Sequence, residues 1–295
     1  MDSVEARVAF PILCDLGEGS LWDEERGVLF WVDISQNKVF RFDPSNSSNL
    51  AYDVGESVGT VVLTQNDRLL LALRSGFAWL DPETGKVTKI SDPEADLPDN
   101  RFNDGKCDPQ GRFWAGTMVE HGPREKAALY CLDTDLTVSR KVEGVTVSNG
   151  LVWSGDRRLF YYIDTPTQQV ALFDFDPESG NIENRRVAAE VPKPAGSPDG
   201  MAIDEEGHLW IALFGGYKVI RVDPTSGEIE FEVTLPVRNV TSCAFGGTDL
   251  RQLFVTTARV GLDADQRKAQ PLAGSLFTAE VPFRGTTTAR FARDV

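Results

Sequence analysis

Apolar and polar residues alternate in short bursts along this chain, and the bursts come in pairs separated by turn residues. In KVFRFD (38–43), Val39, Phe40 and Phe42 stand among Lys38, Arg41 and Asp43, and KVIRVD (218–223) repeats the arrangement. Such alternation marks a half-buried β-strand. DPETG, DPESG and DPTSG, which follow several of these runs, are turn sequences in which Pro fixes φ and Gly supplies φ > 0. No stretch carries a convincing helical period, so strands joined by tight turns are predicted throughout.

The paired pattern recurs along the whole sequence. Its copies are GVLFWVDISQNKVFRFDP (27–44), RLLLALRSGFAWLDPETG (68–85), GRFWAGTM with ALYCLDTD (111–135), RLFYYIDTPTQQVALFDFDPESG (158–180), GHLWIALFGGYKVIRVDPTSG (207–227) and QLFVTTARVG with GSLFTAEV (252–281). Phe30, Leu70, Trp114, Phe160, Trp210 and Phe254 hold equivalent places, spaced by about 40 to 50 residues, the period of a four-stranded propeller blade. Six copies in register predict an all-β fold, a six-bladed β-propeller spanning residues 1–295 as one domain. The incomplete strand count at each end predicts that Ala6 to Leu13 pairs beside Leu276 to Val281 and closes the ring, which removes an exposed sheet edge.

A second feature precedes each anchor. The set reads Glu18-Gly19, Val58-Gly59, Asn103-Asp104-Gly105, Asn149-Gly150, Asp199-Gly200 and Ser242-Cys243. In a propeller the first strand of each blade lines the central channel, so these positions form a ring at one mouth. The glycines are expected to let the chain turn tightly into the crowded axis. Asn-Gly and Asp-Gly are also ordinary turn signals, but Glu18, Asn149 and Asp199 share one repeat position. Carboxylates converging on one axis repel and raise each other's pKa. A hard cation held by oxygen resolves that conflict, and Ca²⁺, Mg²⁺ or Mn²⁺ suits such donors. The ring does not by itself choose between Asn103 and Asp104.

Composition narrows the alternatives. The net charge of −15 disfavours nucleic acid and anionic membrane surfaces as partners. No apolar stretch reaches the roughly 20 residues a membrane span needs. The opening MDSVEARVAF lacks the basic start and apolar run of a secretory signal. Cys14, Cys107, Cys131 and Cys243 are scattered, and reduced thiols in a cytoplasmic protein are expected. Two histidines, His121 and His208, exclude any three-histidine metal site and the H-E-x-x-H motif. No G-x-S-x-G, P-loop or G-x-G-x-x-G motif occurs.

Several stretches resemble the regucalcin/gluconolactonase (senescence marker protein) family. They are GEGSLWDEE (17–25), NRFNDGKCDPQGRFWAGTM (100–118), SNGLVWS (148–154), FYYID (160–164), NRR (184–186), PDGMAIDEEGHLWIA (198–212), VIRVDP (219–224), TSCAFGG (241–247) and VTTARVG (255–261). The resemblance implies a metal-dependent lactonase that opens aldonolactones such as gluconolactone to the aldonic acid. It implies Glu18, Asn149 and Asp199 as ligands of one divalent ion (Ca, Mg, Mn or Zn), with Asp199 also the catalytic base. It implies Arg101 and Asn103 as substrate contacts, and so chooses Asn103 over Asp104. A Glu after GTM often contacts substrate hydroxyls in the family. Here the run is Val119-Glu120-His121, and Glu120 is taken as the contact although ungapped counting puts His121 there. An ester or phosphotriester hydrolase on the same site is the nearest alternative. A calcium-binding regulator without catalysis is the next, but it leaves Arg101 and Asn103 without a purpose. A small-molecule sugar lactone is the expected partner, and a monomer the expected state.

Overall fold

The computed structural model of the chain describes residues 2–66 and 68–293. It has six sheets, each built from four consecutive antiparallel strands or closed by the N-terminal segment. Blades one to four span 17–53, 58–91, 100–145 and 148–190, blade five spans 197–234, and blade six spans 240–280. The architecture is the six-bladed β-propeller read from the repeat. Phe30, Leu70, Trp114, Phe160, Trp210 and Phe254 all lie on the second strands of their blades. There they are buried between blades.

Ring closure follows the expected route and adds one feature. Arg7–Phe10 is the outer strand of blade six, antiparallel to Leu276–Glu280, with Val8 opposite Phe277. Asp2–Glu5 then runs parallel to Ile229–Thr234 as a fifth strand of blade five, with Val4 opposite Val233. The N-terminal segment thus ties the last two blades together. The helix-free expectation fails at one place. Ala264–Ala269 forms a short α-helix in the long loop of blade six, started by a capping box between Asp263 and Gln266. No helix among the described residues is long and apolar enough to cross a membrane.

Turn chemistry accounts for the two faces of the ring. Asp43, Asp81, Asp176 and Asp223 open the turns between third and fourth strands, each accepting from the backbone N–H two residues on. On the other face, acids at the ends of second strands grip the segment that leads into their own blade's first strand. Asp33 accepts from the N–H groups of Asp15 (2.9 Å) and Leu16 (3.2 Å). Asp164 accepts from Val147 N–H (2.9 Å) and from Thr146 N–H. These clamps sit immediately before Glu18 and Asn149, and they fix where those two residues meet the channel.

Each of the six first strands carries a β-bulge at the ring position. The irregularities lie at 18–21, 58–60, 102–105, 148–151, 198–201 and 240–242. The chain was expected to turn tightly into the crowded axis at these glycines; it does so through bulges inside the strands. Most of the glycines are required by crowding at the axis. A Cβ on Gly59 would lie 2.3 Å from Asn103 O, and one on Gly200 2.8 Å from Ser242 Cα. The bulge also re-aims the side chain beside it, and at this mouth it turns Glu18, Asn103, Asn149 and Asp199 inward.

The C-terminal segment crosses the opposite mouth. Gly285 N–H donates to Leu250 O, Phe291 N–H to Leu63 O and Ala292 N–H to Gly111 O. Arg290 pairs with Asp23 at 2.7 Å, and Phe291 is fully buried against Trp79. Between this strap and the channel lies a cavity of about 750 Å³, lined in part by Lys106, Trp153, Ile203, Phe245, Thr287 and Arg290. None of Glu18, Arg101, Asn103, Asn149 or Asp199 lines it. They come from the early parts of the first strands, whereas its walls come from the late parts.

Candidate active site at the channel mouth

Glu18, Arg101, Asn103, Asn149 and Asp199 are all buried, between 4% and 6% exposed. A polar chain joins three blades. Arg101 Nε donates to Glu120 Oε1 (2.9 Å), and Arg101 Nη1 donates to Asn103 Oδ1 (2.8 Å) and Phe102 O (3.0 Å). Asn103 Nδ2 donates to Asn149 Oδ1 (3.0 Å) and Ser148 O (2.8 Å). Asn149 Nδ2 donates to Thr165 Oγ1 (2.8 Å), whose hydroxyl proton goes to Pro198 O (2.8 Å), beside Asp199.

This chain fixes the amide orientations by donor bookkeeping. Thr165 spends its one proton on Pro198 O, so it must accept from Asn149, and the group facing it is NH₂. Asn149 Oδ1 is therefore directed away from Thr165. It keeps one lone pair beyond its bond from Asn103. Asn103 has both amide protons engaged, so within the structure it acts chiefly as a bridge from Arg101 to Asn149. Its neighbour Asp104 turns the other way across the bulge and accepts from Gly105 N–H at 2.7 Å. Asp104 lines a narrow space deeper in the channel with Ser20, Lys106, Met201 and Ser242, where Lys106 Nζ donates to Met201 O at 2.8 Å.

The acids are electrostatically unbalanced. Burial pushes the Glu18 carboxyl up to about 8, and the Asp104 charge adds to this; Gly19 N–H and Arg101 oppose it. Burial, and then the charges of Glu18 and Asp104, hold the Asp199 carboxyl well above the usual carboxylate range. Asp199 Oδ1 is buried and has no hydrogen-bond partner among the described residues. Buried polar atoms normally find one, so this oxygen is the clearest vacancy in the bonding of the site. Two repelling carboxylates, a spare amide lone pair and an orphaned oxygen suit a divalent cation held by oxygen donors. Among the described residues no group of three or more His, Cys, Asp or Glu could hold a metal ion. The candidate trio contains only two acids, with the amide of Asn149 as the third donor.

Glu120 sits differently from the others. It is partly exposed, and its carboxylate is shared by two guanidiniums, Arg101 through Oε1 and Arg74 through Oε2. Burial raises its carboxyl, but the hydrogen bonds and charges of the two arginines outweigh this and leave it below its ordinary value. His121 is exposed on the following loop. His208 lies in a turn elsewhere, with Nε2 3.2 Å from Glu230. The four cysteines are buried and free. Arg74 and Thr165 had no sequence motif to mark them. Both lie where second strands lead into third strands, the loops that surround this mouth.

Were Asn149 to hold a divalent ion, Thr165→Val should weaken that binding about tenfold, the usual cost of losing a partner that orients a ligand. Asn149 would lose the acceptor that aims its amide, while the fold keeps its apolar volume. A metal titration followed by calorimetry reads this directly, and an unchanged affinity would show that Thr165 does not orient Asn149.

Comparison with known proteins shows the family. The family described as SMP-30/Gluconolactonase/LRE-like region matches residues 16–259. A Bacillus subtilis protein named as a candidate sugar lactone lactonase, YvrE, is 40% identical over 280 residues, covering 95% of this chain and 96% of its own. Regucalcin from Xenopus laevis is 39% identical over 282 residues, 94% of each chain. The crystal structure of a calcium-binding protein, regucalcin, from Agrobacterium tumefaciens superposes with a TM-score of 0.94 at 26% identity, covering 99% of both chains. With a family model that matches most of the chain, relatives about 40% identical over nearly all of it and a shared fold, the chain belongs to the SMP-30/gluconolactonase/LRE-like family.

Proposed function

We propose that the chain hydrolyses sugar lactones to aldonic acids at this channel mouth, with one divalent cation bound by Glu18, Asn149 and Asp199. The observation that carries the reading is Asp199, whose buried Oδ1 has no partner among the described residues and whose neighbours are a second acid and a buried guanidinium. When bound, the cation supplies Lewis-acid polarisation of the lactone carbonyl and lowers the pKa of water. Asp199 accepts a proton from the attacking water as the C–O bond to it forms. The same carboxyl returns a proton to the ring oxygen as the ester bond breaks, so that oxygen leaves as an alcohol. Arg101 contributes orientation. Three of its five N–H groups are taken by Glu120, Phe102 O and Asn103. The two on Nη2 have no acceptor among the described residues and are left for substrate oxygens. Burial of these groups keeps bulk water away and strengthens each charge–dipole contact.

A substrate panel tests the reading. Aldono-1,4- and 1,5-lactones, an aryl ester and a phosphotriester are offered to the protein with Ca²⁺, Mg²⁺, Mn²⁺ or Zn²⁺ present. The expected result is turnover of at least one aldonolactone with kcat/KM well above that of the ester and the phosphotriester. Turnover of the aryl ester or phosphotriester alone would move the function to that chemistry.

A further inference from the structure

We infer that Arg74 is a positioning residue for this site: through Glu120 it fixes how Arg101 presents its guanidinium to the lactone. The inference rests on the substrate-facing role of Arg101 proposed above. Arg74 belongs to blade two, in the tight turn between its second and third strands. Its backbone is held by a bond from Arg74 N–H to Ser57 O at 2.8 Å. The next residue is anchored too, with Ser75 Oγ donating to Glu56 at 2.8 Å. Glu120 belongs to blade three, and its own N–H donates to Asp99 O at 2.9 Å. Two fixed backbones on neighbouring blades thus meet through one carboxylate, with Arg74 on Oε2 and Arg101 on Oε1.

An exposed ion pair between long side chains contributes little to stability, and Arg74 is 37% exposed. Its effect is on geometry. Arg101 is buried, with a side chain only 6% exposed, and among the described residues Glu120 is its one ion-pair partner. A partly exposed glutamate held from one side has several rotamers. Held by guanidiniums on both of its oxygens, it has one. That choice sets the plane of Arg101, and with it the direction of the two Nη2 protons. Displacing a substrate-orienting group by a fraction of an ångström weakens binding of the oriented substrate. The expected loss is in recognition, because Arg74 touches neither the reacting carbonyl nor the proposed ligands.

The test combines kinetics and a direct view of Arg101. Arg74→Ala should raise KM for the preferred lactone by about fivefold to tenfold with kcat within about twofold. Glu120→Gln should do the same, and Arg74→Lys should recover part of the loss. In an Arg101→Ala background, Arg74→Ala should have no further effect, since nothing remains to be positioned. If the two losses multiply instead, Arg74 meets substrate by itself and the inference is overturned. An unchanged KM in Arg74→Ala overturns it as well. The second readout is the ¹⁵N-resolved Nε–H signal of Arg101, whose solvent exchange is slowed by the bond to Glu120. In Arg74→Ala that exchange should accelerate severalfold, with Arg74→Lys intermediate. Unaltered exchange sinks the positioning role even in a protein that turns over no lactone. The absence of turnover in the parent protein would count against the lactonase reading alone.

Discussion

Asp199→Asn is expected to lower kcat for lactone hydrolysis by at least about 100-fold while leaving metal binding in place, perceptibly weakened. The substitution keeps an oxygen donor at the position now occupied by Oδ1 and removes the carboxylate proposed to take the proton. Opposing effects set the size of the loss. A cation favours the ionised carboxylate and lowers its basicity. The protein does the reverse, because burial and the charges of Glu18 and Asp104 raise the same group. Asp199 is thus poised between the two, basic enough to assist a water that the cation has made more acidic. Steady-state kinetics at saturating metal, with affinity measured separately, decides the matter. Near-full kcat in Asp199→Asn would make Asp199 a ligand only.

The second large effect is on pH. In the metal-free protein the Glu18 carboxyl is raised to about 8 and that of Asp199 stands well above its ordinary range. The folded state therefore holds protons between about pH 4.5 and 8 that the unfolded chain releases. A raised folded-state pKa stabilises below the unfolded value and loses that contribution as pH rises through the folded one. The metal-free protein should accordingly become less stable from pH 5 to 8. A cation needs both carboxylates ionised, so metal affinity should move the other way, rising by about tenfold per pH unit for each proton displaced. Between pH 6 and 8 the gain should be on the order of 100-fold for each carboxyl that must lose its proton to bind the ion. Calorimetric titration in buffers of different ionisation enthalpy counts the protons released. A flat affinity with no proton release would mean that these acids are not the ligands.

The propeller was legible because its signals are local. Each blade repeats an apolar second strand followed by a turn, and the period of that pattern is fixed by strand length. Glu18, Asn149 and Asp199 were legible for the same reason, since equivalent repeat positions fall at equivalent heights on the channel. The glycines beside them were found, together with the crowding at the axis that requires them, but not the bulges that carry them. Whether a glycine serves a turn or a close approach depends on the neighbouring blade, as Gly59 against Asn103 O shows. Arg74 and Thr165 were out of reach for a related reason. Arg74 meets a residue 46 positions away on another blade, and Thr165 accepts from Asn149 and donates to Pro198 O, 33 positions on. Such partners are set by the packing of blades, which carries no periodicity of its own. Asp2–Glu5 was missed because a short polar segment gives no sign of which parallel edge it will join. The helix at 264–269 was missed because six residues are too few to show a period, although its capping residues stand in the sequence.

The measurement that bears most directly on the account is lactone hydrolysis by the purified protein before chelation, after exhaustive chelation, and after re-addition of single divalent ions. The account expects turnover of an aldonolactone to vanish with the metal and to return with at least one of Ca²⁺, Mg²⁺, Mn²⁺ or Zn²⁺. It also expects a Glu18→Gln variant to need a higher concentration of that ion for the same recovery. Full turnover persisting in the chelated protein, with no ion bound, would contradict it.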